Sequence, residues 1–420
     1  MTKTIIQNTN LIDTELAELV EAQSVVFEGR KIIYVGDEGS YDSDPDDRVI
    51  DGEGMYAMPG LTDMHVHLNY EQKDLQVRGA NIIRRKDSYA DLLGVKHAQQ
   101  YLKIGVTTVR GCGGSNSLSS LRQLIEEGKI VGPRLRLALN TLVQPGNQEL
   151  FGTDAMIRDA HENEPISGVD GVIHAVRKRR SDGSDHIKTT TTGGVVHGKT
   201  SDVNQVLWRD EELEAMVSEA ERLGMYVAAH AHATPGIKAA IRAGIRTIEH
   251  STILDEEAID MMLEKKTYIT NTLSAGTFID TMSKEYKSKL PPEVVSKWEQ
   301  VSAKMVESHK LAYEKGVPML VGTDAPVGDE HAHTNYEMQL MHDLIGMSPI
   351  EVIQGATITA AEAMRMEDMI GSITKGKQAD IVLLTGNPLE DLSVLNNESN
   401  FEFVFANGKN VAKNGRLIGL

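Results

Sequence analysis

Between residues 58 and 364, strand-like and helix-like stretches alternate, and this alternation restricts the fold more than any other feature. "GVTTVRG" precedes the helical "SLSSLRQLIEEGK", "HIKTTTTGG" precedes "DEELEAMVSEAERLG", "YVAAHAHA" precedes "GIKAAIRAG", and "RTIEHST" precedes "DEEAIDMMLEKK". Short β-branched runs each followed by a helix are βα units, which place their strands parallel in one sheet. Repeated over about 300 residues, they predict an α/β chain with a (β/α)8 TIM-like barrel over residues 58–364; a doubly wound open sheet is the alternative.

The two ends have a different texture. "KTIIQNTNLID", "QSVVFEGRKIIYVG" and "RVIDGEGMYAMPG" lie before the barrel, and "GSITKGKQADIVLLTGNP" and "FEFVFANGKNVAKNGRLIG" after it. These are strand runs punctuated by Gly and Asn, and "NGK" and "NGR" are hairpin turns. Residues 1–57 and 365–420 are therefore expected to combine into one composite β-sandwich domain.

Composition excludes several classes of function. A formal net charge of −18 argues against nucleic acid, because phosphate binding requires clustered Lys and Arg. A small molecule or dipeptide is the expected partner, and a homo-oligomer the expected assembly. The single cysteine, Cys112, rules out a disulfide framework and cysteine-rich zinc sites, and is expected to serve packing only. No apolar run approaches membrane-spanning length and the start carries no long apolar segment, so no membrane and a cytoplasmic location are expected.

In a barrel, reactive side chains belong at the C-terminal ends of strands. "MPGLTDMHVHLNY" places His65 and His67 at such an end. Side chains at i and i+2 of a strand share a face about 6–7 Å apart, so both rings can converge on one ion. Lys188 in "HIKTTTTGGVV", His230 in "YVAAHAHA", His250 in "RTIEHST" and Asp324 in "PMLVGTDAP" occupy equivalent places. Each has a plainer reading alone: a hydrogen-bonded strand-end histidine, a snorkelling lysine, a helix-capping aspartate. Their joint occurrence in one strand-to-helix register points to a metal centre.

The set resembles the amidohydrolase superfamily. "PGLTDMHVHL", "IKTTTTGG", "AAHAHATPGIKAAIRAGIRTIEHST" and "VGTDAP" are similar to the strand 1, 4, 5, 6 and 8 motifs of its binuclear branch, which contains prolidase-like dipeptidases and Lys/Arg carboxypeptidases. "GPRL" and "GATITAAEAMRMEDMIGSITKGKQADIVLL" are similar to that branch too. The resemblance implies two divalent metal ions, zinc first, with Lys188 carboxylated by CO2 and bridging them. His65, His67 and Asp324 would hold one ion, and His230 and His250 the other. It also implies hydrolysis of an amide C–N bond, with Asp324 as the proton carrier and His232, which shares a strand face with His230, as a second candidate. The substrate expected from the branch is a dipeptide or N-acyl amino acid, its carboxylate met by Arg110, His197, Lys199 or His232.

Three places depart from that branch. Gly111 stands where many relatives carry Asp, "TLVQPGNQE" replaces a Gly-Gly-His turn, and His331 and His333 read first as exposed loop histidines, with pocket residues as the alternative. These changes leave open a cyclic amide, a urea or a xenobiotic amide such as an ochratoxin-like or phenylurea substrate. A mononuclear deaminase would leave Lys188 without a task, a silent scaffold would be expected to have lost ligands, and Schiff-base chemistry on Lys188 is a separate enzyme class.

Overall fold

The computed structural model describes residues 2–71, 87–145, 166–195, 202–281, 284–288, 290, 292–327 and 331–419. Among the described residues, eight parallel strands form the barrel. β6 (Leu61–Val66), β7 (Val106–Gly111) and β8 (Arg134–Leu137) pair in one group, after five strands of the N-terminal region. β9 (Ile187–Thr190), β10 (Val227–Ala231), β11 (Thr247–His250), β12 (Tyr268–Thr270) and β13 (Met319–Leu320) pair in a second. Backbone bonds at both seams join the groups. Asp185 N donates to Leu137 O and Leu142 N to Lys188 O, both at 2.8 Å. Met64 N donates to Val321 O at 2.9 Å and Asp324 N to His65 O at 2.8 Å.

The expected helices surround the barrel at Leu118–Glu126, Asp210–Arg222, Thr234–Ala243 and Glu256–Lys265. Asp210–Arg222 shows why such a polar sequence is helical: Leu213, Met216 and Ala220 recur at helical spacing and are buried on the barrel. Asp210, Glu211 and Glu212 fill its first turn, where negative charge complements the helix dipole. Among the described residues, no helix is long and apolar enough to cross a membrane.

A nine-stranded sheet takes strands from both ends of the chain. Its N-terminal members are β1 (Lys3–Asp13), β2 (Glu18–Glu28), β3 (Lys31–Asp37), β4 (Arg48–Asp51) and β5 (Tyr56–Pro59). β14 (Ile381–Leu384), β15 (Phe401–Ala406), β16 (Lys409–Lys413) and β17 (Arg416–Leu417) complete it. The order is β17-β16-β15-β14-β5-β1-β2-β3, with β4 also on β1, so β5 and β14 form the junction between the two termini. The two Asn-Gly dipeptides are the anticipated hairpin turns, with φ values of 50° and 75° at Asn407 and Gly408 and 49° and 67° at Asn414 and Gly415. Phe27 of β2 and Phe405 of β15 meet edge to face at 5.1 Å, although four strand steps of about 4.8 Å separate them along the sheet. The sheet therefore folds over on itself and encloses its own core of Ile6, Val25, Phe27, Ile381, Leu383 and Phe405.

This sheet seats against the barrel. Gly105 enters β7 at φ +77°, and a Cβ there would come within 2.7 Å of the Phe401 ring, so only glycine fits. Arg134 of β8 donates to Asp380 Oδ2 at 2.6 Å and to Asn407 Oδ1 at 2.7 Å.

Candidate metal centre

β6 carries Asp63 and His65, and His67 follows directly after its last residue in the same alternation, so all three contribute to the strand-end architecture. Asp63 is wholly buried and accepts from His65 N at 3.1 Å, Thr323 N at 3.1 Å, Thr323 Oγ1 at 2.9 Å and Thr334 Oγ1 at 2.8 Å. It ties the histidine-bearing strand to the segment bearing Asp324. Burial raises its carboxyl to about 6, against the pull of these donors.

His65 Nε2 lies 3.2 Å and His67 Nε2 3.1 Å from the same Asp324 oxygen. Asp324 adopts φ +57° and His250 φ +74°, left-handed conformations that cost a non-glycine residue on the order of 1–3 kcal/mol and are tolerated where surrounding structure enforces them. Burial alone would raise the Asp324 carboxyl, but His65, His67 and Lys188 hold it down at about 2, so it is ionised at neutral pH. His65 is lowered to about 4, first by burial and then by Lys188, and is a neutral imidazole. The neutral His65 imidazole, the His67 ring and the Asp324 carboxylate converge on one point, a nitrogen and oxygen donor set that suits a divalent cation, and these three residues can hold one.

The other strand-end residues meet the same place. Lys188 Nζ is 3.5 Å from His65 Nε2. The His250 ring centroid is 5.3 Å from His65 and 4.5 Å from His230, and His232 stacks on His250 at 5.0 Å. Hydroxyls two residues beyond strand ends orient these rings: Thr252 Oγ1 is 2.8 Å from His232 Nδ1, and Thr272 Oγ1 2.8 Å from His250 Nδ1. His309 Nε2 donates to the His250 carbonyl at 2.7 Å. Gly113 gives the histidines space, since a Cβ there would press within 3.1 Å of His67 Nδ1.

A family model described as Amidohydrolase family matches residues 56–411. The chain belongs to the amidohydrolase family. A crystal structure of a Xaa-Pro dipeptidase with methionine bound in its active site matches with a TM-score of 0.88 and 36% identity, over 97% of this chain and 99% of that one. A prolidase crystallised with N-methylphosphonate-L-proline matches with a TM-score of 0.88 and 32% identity, over 98% of this chain and all of the other (100%). Ochratoxinase of Aspergillus niger is 28% identical over 368 residues, which is 84% of this amidohydrolase and 75% of the relative.

Not every expected contact is at the site. Arg110 is wholly buried inside the barrel with its guanidinium on Glu249, Thr247 and the Met64 carbonyl, so it cannot meet a substrate carboxylate at the rim. The sequence "TTVRG" did not distinguish an inward-facing arginine from one at the mouth. His331 lies in a loop, as expected, but is not exposed: it is buried, stacks on His97 at 4.0 Å and lies 3.0 Å from the Tyr70 carbonyl. His333 is half-buried at the start of the helix Thr334–Leu340. His197 and Lys199 lie outside the described residues. Cys112 is buried, and burial pushes its thiol up to about 11, so it is no nucleophile.

Proposed function

We propose that this amidohydrolase cleaves the C–N bond of a dipeptide or N-acyl amino acid at a pair of divalent ions, zinc first. In this reading His65, His67 and Asp324 would hold one ion, His230 and His250 would hold the other, and Lys188, as its carbamate, would serve both. The observation that carries the reading is the approach of both His65 Nε2 and His67 Nε2 to one Asp324 oxygen, with Lys188 Nζ 3.5 Å from His65. A lysine ammonium repels cations, whereas a carbamate is an anionic oxygen ligand, so carboxylation gives Lys188 a role at the centre. When bound, the ions supply Lewis acidity, acidifying water and polarising the scissile carbonyl.

The chain's own groups do the rest. Asp324, an ionised carboxylate, takes the proton of the attacking water and delivers it to the leaving nitrogen. His232, stacked on His250, is the second candidate for proton transfer or substrate contact. With Arg110 committed elsewhere, His197, Lys199 and His232 are the residues we assign to the substrate carboxylate, which needs a donor once removed from water. The similarity to ochratoxinase favours, as a second reading, a xenobiotic amide at the same site.

Elemental analysis of protein purified without chelator is expected to find two ions per chain. One ion or none in fully active protein would remove the paired-ion reading. The substrate class is decided by kcat/KM across dipeptides, N-acetyl and N-benzoyl amino acids, their C-terminal amides, hydantoins, lactams and phenylureas. Free-carboxylate substrates are expected to be preferred. Indifference to amidation of the carboxylate, or turnover of cyclic amides and ureas alone, would overturn the dipeptidase-like reading.

A further inference from the structure

Directly behind His65 the barrel interior is ionic. Arg110 of β7 and Glu249 of β11 are both fully buried, and Arg110 Nη2 lies 2.7 Å from each Glu249 oxygen. Arg110 also donates through Nε to the Met64 carbonyl at 2.6 Å and through Nη1 to Thr247 Oγ1 at 2.8 Å. Thr247 Oγ1 donates to Glu249 Oε1 at 2.7 Å. On its other side, Glu249 Oε2 lies 3.0 Å from His65 Nδ1.

The chemistry of this chain of contacts has a direction. Two charges in a barrel core carry a desolvation cost that apolar side chains of similar volume avoid, so the pair needs a role beyond filling space. The 3.0 Å contact of His65 Nδ1 with Glu249 is a close approach rather than an aligned hydrogen bond; because a carboxylate flanked by a guanidinium only accepts, it favours the tautomer with its hydrogen on Nδ1, which leaves the Nε2 lone pair for an ion held with Asp324. A carboxylate on the far nitrogen of a ligating imidazole fixes its tautomer and ring orientation and makes it a stronger donor. Arg110 balances the Glu249 charge and, through the Met64 carbonyl, grips the residue preceding His65.

We propose that Arg110 and Glu249 are a positioning pair that holds His65 ready for metal and strengthens the hold on the ion it ligates. The inference rests on the metal-centre reading above. Its test is Co2+ titration followed by visible absorption, with thermal unfolding by circular dichroism, on the parent, Glu249→Gln, and the double variant Arg110→Met with Glu249→Leu. Glu249→Gln keeps the shape and an acceptor but loses the charge. The double variant replaces the ion pair by apolar groups and is expected to fold as the parent does. Both are expected to bind the ion on His65 about 10–100-fold more weakly, with an altered absorption band. Should the double variant not fold, Glu249→Gln alone decides. Folded variants with parental affinity and spectrum would make the pair structural only and overturn the inference. A parent that binds no Co2+ would instead overturn the metal-centre reading, and this inference with it.

Discussion

Asp324→Asn is expected to lower kcat by about 10²–10⁴ while leaving the fold and much of the metal content in place. Asparagine has the same shape, and its amide oxygen can take the place of the carboxylate oxygen that lies 3.1 Å from His67 and 3.2 Å from His65. It can ligate but cannot accept a proton. The backbone supports the exchange, because Asn is among the residues most tolerant of a left-handed conformation such as the φ of +57° at this position. The comparison is single-turnover and steady-state rate at equal metal content per chain. A variant that loses its metal would reassign Asp324 chiefly to ligation. Near-parental kcat would move proton transfer to another group, and His232, beside His250, is the first to examine by the same substitution logic.

Some of this centre was legible in the sequence for a simple geometric reason. Residues of one strand face repeat every two positions, so "HVH" announces two rings on one side, and the twenty-residue interval from His230 to His250 is one βα unit. The same alternation reaches back to Asp63, two positions before His65, and that signal was available although Asp63 was not singled out. Arg110 and Glu249 were illegible: they are distant in sequence, and only barrel closure brings the Arg110 guanidinium onto Glu249. His331 read as exposed because nothing local announces that His97, on the helix Asp87–Lys103, will stack against this loop residue. In the sheet, the Asn-Gly hairpins were explicit, yet β2 begins at Glu18, inside "ELVEAQ", where propensity does not favour a strand. Pairing with β1, Leu11 opposite Val20 and Ile12 opposite Leu19, overrides it.

Deleting the chain after residue 365 is expected to give aggregated, inactive protein, because we propose that residues 1–57 and 365–420 fold as one unit. The deletion removes β14 from β5, where Ile381 faces Pro59 and Leu383 faces Ala57, and leaves β5 with an open edge. It also removes Phe405 from Phe27 and the Ile381 and Leu383 side chains from the core around Ile6 and Val25. The barrel base is stripped too, since Phe401 leaves the turn at Gly105 and the Asp380 and Asn407 partners of Arg134 are lost. Burial of each large apolar side chain contributes about 1.5–3 kcal/mol, so losing several at once is comparable with the roughly 5–15 kcal/mol that holds a whole domain. Exposed strand edges then offer ready templates for association between chains. Solubility after expression and size-exclusion chromatography read the outcome directly. Adding residues 366–420 back as a separate chain during refolding is expected to recover soluble protein if the two ends form one unit. A truncated chain that stays monomeric and active would show instead that the barrel and N-terminal strands stand without their C-terminal partners.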